Sequence, residues 1–291
     1  MSDDLLARLL DVRVRAPERI AEAAARRTRP ADLTGQTGRL LLVAADHPAR
    51  GAMRAGDRAM AMADRADMLR RLGTALERPG VDGVLGTADV LEDLLLLGAL
   101  ESKVVIGSMN RGGLAGTAFE IDDRFTGYGA EAARAMGWQG GKMLLRIDPD
   151  DAATSDMLEA CARAVDELAA ARLMAMVEPF IAHRVDGRVR NLLTVEAVIR
   201  SSAVASGLGS TSAYSWLKLP VVDDMESVLA ATTLPVLLLG GEVAADQQQQ
   251  LALWRKALAS PSVRGMVAGR SLLYPPDDDV AAAVDATVEL M

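Results

Sequence analysis

Of the 32 basic residues in this chain only four are lysines, Lys103, Lys142, Lys218 and Lys256, and the remaining 28 are arginines. A chain that writes arginine wherever surface charge is wanted raises the question of what its few lysines are for. An amine, unlike a guanidinium, can lose its proton when desolvated and then attack a carbonyl carbon. Lys218 lies in the run YSWLKLP. In an extended strand Tyr214, Trp216 and Lys218 share one face and Leu217 and Leu219 the other. The leucines suit a layer buried against helices, which turns Lys218 the opposite way. In GKMLLRID the apolar face is Met143, Leu145 and Ile147, leaving Lys142, Leu144, Arg146 and Asp148 together. Met174, Met176 and Glu178 share a face of RLMAMVEP, and RLLLVAAD ends in Asp46, followed by His47. If these faces converge, two amines and two carboxylates meet in one pocket. One amine attacks a ketone, the iminium draws electrons from a breaking carbon–carbon bond, and Asp46, Lys142 or Glu178 relays protons. Blander roles compete at three of these positions. Lys142 lies early in its strand, where a salt-bridged residue at a barrel's bottom would also sit. Asp46 also suits a loop cap, and Glu178 a structural pair with Arg146.

A second set of residues suits an anion. LLLGGE ends in Gly240 and Gly241, and VAGRSLL carries Gly269, Arg270 and Ser271. Glycines let backbone N–H groups approach a phosphate, and an arginine adds a charged contact. Arg146, and Arg111 in SMNRGG, are candidates for a carboxylate at the substrate's other end, and His47 for a further polar contact. His183, in the polar stretch HRVDGR, is expected in a solvated turn. Cys161 is expected to pack on an amphipathic helix. With one cysteine and two histidines the chain offers no disulfide framework and no multi-histidine metal centre, so neither a metal nor a cofactor is expected.

Such residues need a scaffold that brings several strand ends together. Eight short apolar runs recur at 39–46, 81–87, 102–109, 141–148, 172–179, 214–220, 235–241 and 264–270, separated by segments with helical apolar spacing. Eight alternating units in 291 residues predict a single (β/α)₈ barrel over 39–291, preceded by a helical lead-in over 1–38. An open doubly wound sheet is the alternative, but DHPARG follows the first strand where a nucleotide fold would place a glycine loop. QQQQ at 247–250 reads as the start of a helix, and no linker divides the chain. The net charge of −8 argues against nucleic-acid and anionic-membrane surfaces. No apolar run has the length of a membrane span, and the acidic, amphipathic start does not read as a signal peptide, so a cytoplasmic location is expected.

Together these motifs resemble the DhnA-type class I aldolases, the barrel family that includes tagatose bisphosphate and sulfofructosephosphate aldolases. The resemblance runs from about residue 40 onward. It is carried by the Asp-His of VAADHP, the lysine of GKMLLRIDPDD, the glutamate of MVEP, the lysine of WLKLP, and the GG and GR strand ends. It implies a metal-independent lyase in which Lys218 forms a Schiff base, with Lys142, Glu178 and Asp46 around it. The GG and GR ends become a phosphate grip, and a homo-oligomer is expected. Two departures, Pro48 after Asp-His and Arg146 in place of an aromatic residue, point to a different distal end on the substrate. An actinobacterial, inositol-cluster branch of aldolase-like barrels is similar too, and implies 2-deoxy-5-keto-gluconate 6-phosphate, cleaved to dihydroxyacetone phosphate and malonate semialdehyde. A deoxyribose-phosphate aldolase-type activity, or a sugar-phosphate-binding barrel without catalysis, are the alternatives.

Overall fold

The first apolar run becomes β1 (Leu40–Ala44), and every one of its residues is buried. Leu40, Leu42 and Ala44 pack in one apolar cluster, while Leu41 and Val43 belong to a second, larger one. A parallel strand covered on both faces reads as a continuous apolar run for this reason. The remaining strands are β2 (Gly83–Gly86), β3 (Val104–Ser108), β4 (Gly140–Ile147), β5 (Met174–Val185), β6 (Arg188–Asn191), β7 (Ser215–Leu219), β8 (Val236–Leu239) and β9 (Val263–Ala268). In this computed structural model, which describes residues 2–34, 37–243 and 246–291, eight of them close into one parallel ring. The order is β1–β2–β3–β4–β5–β7–β8–β9, with β9 pairing back onto β1. The chain therefore folds as a single (β/α)₈ barrel.

The helices are α1 (Ser2–Arg15), α2 (Glu18–Arg26), α3 (Arg65–Glu77), α4 (Ala88–Leu96), α5 (Ala130–Ala135), α6 (Ala153–Ala170), α7 (Val195–Ser206), α8 (Met225–Ala230), α9 (Gln247–Leu258), α10 (Arg270–Leu273) and α11 (Val280–Val288). Several start where a short polar side chain accepts a free backbone N–H: Asp64 for α3, Thr194 for α7, Asp246 for α9 and Asp279 for α11. The glutamine run opens α9, as its position after the seventh apolar run implies. Cys161 is fully buried on α6, and burial pushes its thiol up to about 12.

The N-terminal helices lie outside the ring. Arg27, just past α2, donates to the carbonyls of Leu100, Lys103 and Gly137, all at the strand-entry end of the barrel, and lies over the Trp138 ring. Lys103 belongs to that end too, where its Nζ donates to Val81 O. Lys256 is exposed on α9. Two of the four lysines thus lie away from the mouth.

The stretch HRVDGR holds a solvent-exposed turn, as expected, but the turn belongs to a β-hairpin. β5 runs on to Val185 and folds back as β6, which pairs antiparallel with it. Asp186 and Gly187 sit between them with φ of 51° and 74°. Two consecutive left-handed residues make the tight turn that suits a twisted hairpin, and Asp-Gly is a favoured pair for it. The hairpin stands at the rim of the mouth, where His183 Nδ1 lies 3.2 Å from Asp148 Oδ1. Among the described residues no helix is long and apolar enough to cross a membrane.

Candidate active site

Strand register decides which side chains meet. Met176 of β5 is level with Lys142 of β4 on one side and with Trp216 of β7 on the other. Two residues further along the same face, Glu178 comes level with Lys218. Lys142 rises toward the carboxylate from the layer below. Lys218 Nζ donates to Glu178 Oε1 at 2.8 Å, and Lys142 Nζ ion-pairs with Glu178 Oε2. Lys142 Nζ is also 3.5 Å from Asp46 Oδ2, just beyond β1. Beneath these groups Leu40, Leu42, Leu85, Ile106, Met174 and Met176 fill the barrel with apolar bulk. Strand parity, read from the two leucines flanking Lys218, therefore matches the structure, and the alternatives in which Lys142 lies at the barrel bottom and Glu178 pairs with Arg146 do not hold.

Two further groups complete the cluster. Arg111 ion-pairs with Asp46 and donates from Nε to Ser108 Oγ at 3.0 Å. Ser108 in turn donates to Asp46 Oδ2 at 3.1 Å. Ser108 was legible in principle, since it ends β3 on the inward face, two residues after Ile106. Arg111 is thus held among the lysines rather than standing free for a distal carboxylate.

The electrostatics follow from this crowding. Lys142, Lys218 and Arg111 set three cationic groups against the two anions Glu178 and Asp46. Burial, reinforced by Arg111 and Lys218, holds the Lys142 amine well below its ordinary 10.5 despite the pull of Glu178. Burial opposes the charge of Glu178 as well, but the two ammonium groups outweigh it and keep its carboxyl well below the usual carboxylate range. His47 follows Asp46, with Nδ1 3.9 Å from Asp46 Oδ1. Burial and the charges of Arg270, Lys218 and Lys142 keep its imidazole neutral, well below 6.5.

The cluster floors a cavity of about 510 Å³ at the barrel mouth. Asp46, His47, Lys142, Glu178 and Lys218 line it, together with Arg146, Gly240, Gly241, Gly269 and Arg270. Ser271 does not: its hydroxyl is buried without a hydrogen-bond partner and it faces a separate cleft beside α9. Gly240 and Gly269 have a packing reason of their own. A Cβ on Gly240 would lie 2.6 Å from the Ala268 Cβ, and one on Gly269 would lie 2.4 Å from Ala44 O. The β8, β9 and β1 ends can close only without those side chains. Gly241 is open to solvent and needs glycine for its φ of 71°. Arg270 Nη1 reaches Glu242 Oε1 at 2.7 Å, a partner that is mostly exposed.

Arg146 Nη1 lies 3.1 Å from Glu120 Oε1, and its Nε donates to Asn191 Oδ1 of β6 at 3.3 Å. Asp148, although on the same strand, turns to His183 and the loop beyond β4 and does not line the cavity. Arg50, on the 3₁₀ turn Pro48–Arg50, lines the mouth as well, buried and ion-paired with Asp123. In so arginine-rich a chain nothing in the sequence marks Arg50 as different from its surface counterparts.

A closed parallel barrel with two lysines around one buried glutamate at its mouth defines an amine–carboxylate site of the (β/α)₈ class. Residues 38–288 match the Cgl0159-like family, and the chain belongs to that family. It is 50% identical to Cgl0159 from Corynebacterium glutamicum, whose crystal structure matches with a TM-score of 0.96 over 99% of this chain and 96% of that one. An archaeal fructose-1,6-bisphosphate aldolase, solved with its catalytic lysine covalently bound to the carbinolamine intermediate of its substrate, is 20% identical. It matches with a TM-score of 0.65 over 93% of this chain and 98% of that one. A fructose-bisphosphate aldolase from Slackia heliotrinireducens is 15% identical, with a TM-score of 0.63 over 85% of this chain and 78% of that one. At these identities the likeness to aldolases is one of fold. No curated protein matches the chain.

Proposed function

We propose that the protein is a class I, Schiff-base aldolase acting on a phosphorylated ketose or keto acid, with Lys218 as the nucleophile. The observation that carries this reading is the buried Lys218–Glu178–Lys142 cluster on the cavity floor. The aldolase fold of the neighbours, one of them caught with its lysine bound to a carbinolamine, agrees with it. Lys218 is the better nucleophile of the pair by position. It is level with Glu178 at the cavity floor, whereas Lys142 lies one layer lower and has two carboxylates against it.

Lys218 gives one ammonium proton to Glu178 and its freed Nζ attacks the ketone carbon; a second amine proton passes to the carbonyl oxygen, and Glu178 returns its proton to the resulting hydroxyl. Water then leaves and an iminium forms. The hydroxyl on the carbon β to the iminium gives up its proton to the Asp46, Lys142 and Glu178 relay, and the carbon–carbon bond breaks. The aldehyde departs while the bonding pair passes into the iminium as an enamine. Protonation of the enamine carbon and hydrolysis release the second product and the free lysine. For 2-deoxy-5-keto-gluconate 6-phosphate, the candidate substrate, the iminium is at C5 and the C3–C4 bond breaks. The products are malonate semialdehyde and dihydroxyacetone phosphate. Gly240, Gly241, Gly269 and Arg270 hold the phosphate beside the ketone. The exposed Glu242 gives up Arg270 readily, since a surface ion pair contributes only about 0–1 kcal/mol.

The test is borohydride reduction in the presence of dihydroxyacetone phosphate, followed by peptide mass mapping. The expected result is one adduct, on Lys218. An adduct on Lys142 would reverse the roles of the two lysines, and no adduct on either would remove the Schiff-base reading.

A further inference from the structure

Arg50 takes no part in the amine chemistry, yet it is 5% exposed and lines the cavity. One of its terminal nitrogens meets Asp123, while Nε and Nη1 are buried without any hydrogen-bond partner. Arg146 Nη1, although near Glu120, is likewise out of line for a hydrogen bond. The two guanidiniums are near enough that the charge of Arg146 adds to burial in lowering Arg50 to about 9. Buried donors without acceptors are uncommon because each forgoes its hydration, and three of them on two residues that line one cavity mark a place where an acceptor belongs.

We propose that Arg50 and Arg146 form a second anion subsite, and that its ligand is a carboxylate at the substrate's end remote from the phosphate. The proposal rests on the placement of the phosphate at the β8 and β9 ends given above. Around the ring β4 stands four places from β9, so Arg146 is across the mouth from Arg270. Lys218 on β7 and Glu178 on β5 lie between them. A chain held by its phosphate at one side and an anion at the other therefore passes over the amine. The charge balance selects the anion. Arg50 keeps Asp123 and Arg146 keeps Glu120, two cations against two anions, so the subsite offers directed N–H groups with no net charge. That arrangement suits a monoanion. A phosphate dianion beside Glu120 and Asp123 would meet repulsion with no surplus positive charge to offset it. Arg111 is excluded from this role by its pairing with Asp46 and Ser108.

The experiment compares two probes that cannot form an iminium, so that binding is read independently of Lys218. These are 2-deoxygluconate 6-phosphate and 2-deoxyglucitol 6-phosphate, which differ only in carboxylate against primary alcohol. By titration calorimetry the wild type is expected to bind the acid about 10- to 100-fold more tightly, the range for hydrogen bonds to a charged group. Removing either ion pair whole, as Arg50→Gln/Asp123→Asn or Arg146→Gln/Glu120→Gln, should abolish that preference, the acid losing far more affinity than the polyol. Arg146→Lys keeps the charge beside Glu120, removes the extra donors and should lower the preference too, which covers a double variant that fails to fold. Equal binding of the two probes by the wild type would overturn the subsite, as would parallel loss of both in the variants. A failure of borohydride trapping with dihydroxyacetone phosphate would count against the Schiff-base reading and leave the carboxylate preference standing.

Discussion

Replacing Lys142 by methionine separates what the second lysine does for the fold from what it does for the reaction. The side chain is 2% exposed, and burial disfavours its ammonium form. In the unfolded chain the same amine titrates near its ordinary 10.5. Between its depressed folded value and 10.5 the unfolded state binds more protons than the native state, so native stability rises with pH across that interval. The slope for one proton is about 1.4 kcal/mol per pH unit. Below the folded value both states carry the proton and the slope vanishes. In Lys142→Met the remaining groups stay paired, Glu178 with Lys218 and Asp46 with Arg111, two cations against two anions. The variant is therefore expected to fold, with stability at neutral pH equal to or above that of the wild type. Its kcat should fall by about 10²-fold or more, the scale of a lost acid–base group. Guanidinium unfolding of both proteins at half-unit steps from pH 7 to 10 gives the difference directly. The wild type should gain on the variant by up to about 1.4 kcal/mol per unit within the window. A flat difference would refute the reasoning that burial lowers the Lys142 amine below its ordinary value.

Three further outcomes are expected. Lys218→Arg should fold, since the guanidinium can still meet Glu178, but should show neither turnover nor borohydride adduct because it stays protonated; residual full activity would exclude Lys218 as nucleophile. Glu178→Gln should lower kcat by about 10²-fold or more. It should also destabilise the fold by about 3–5 kcal/mol at neutral pH, because two buried amines lose their common counter-charge, a loss read from the shift in the denaturation midpoint. Arg270→Ala should raise KM for a phosphorylated substrate far more than it lowers kcat, since it removes binding common to ground and transition states; an unchanged KM would move the phosphate elsewhere.

Much of the scaffold is written locally, and for a simple reason. A parallel strand buried on both faces must be almost wholly apolar, so each barrel strand announces itself as a short run between turn residues. A lysine or glutamate inside such a run is conspicuous, and alternation assigns it a face from its immediate neighbours. Leu217 and Leu219 placed Lys218 inside the ring, as Met143 and Leu145 did for Lys142. The rim was less legible. HRVDGR is polar because it rises above the barrel into solvent, so it reads as a turn while the strand segments on either side carry no apolar run to announce them.

What only the tertiary structure decided is partnership. Composition shows 28 arginines but not that Arg111 serves Asp46, that Arg50 meets Asp123 from a different loop, or that Arg146 pairs with Glu120 rather than Glu178. Nor does it show that Ser271 turns away from the mouth while Arg270 beside it turns in. Alternation is a property of one strand, set by the two-residue repeat of its own backbone. Ion pairing across the mouth depends on the stagger between strands and the path of the loops, which the chain acquires only when the ring closes.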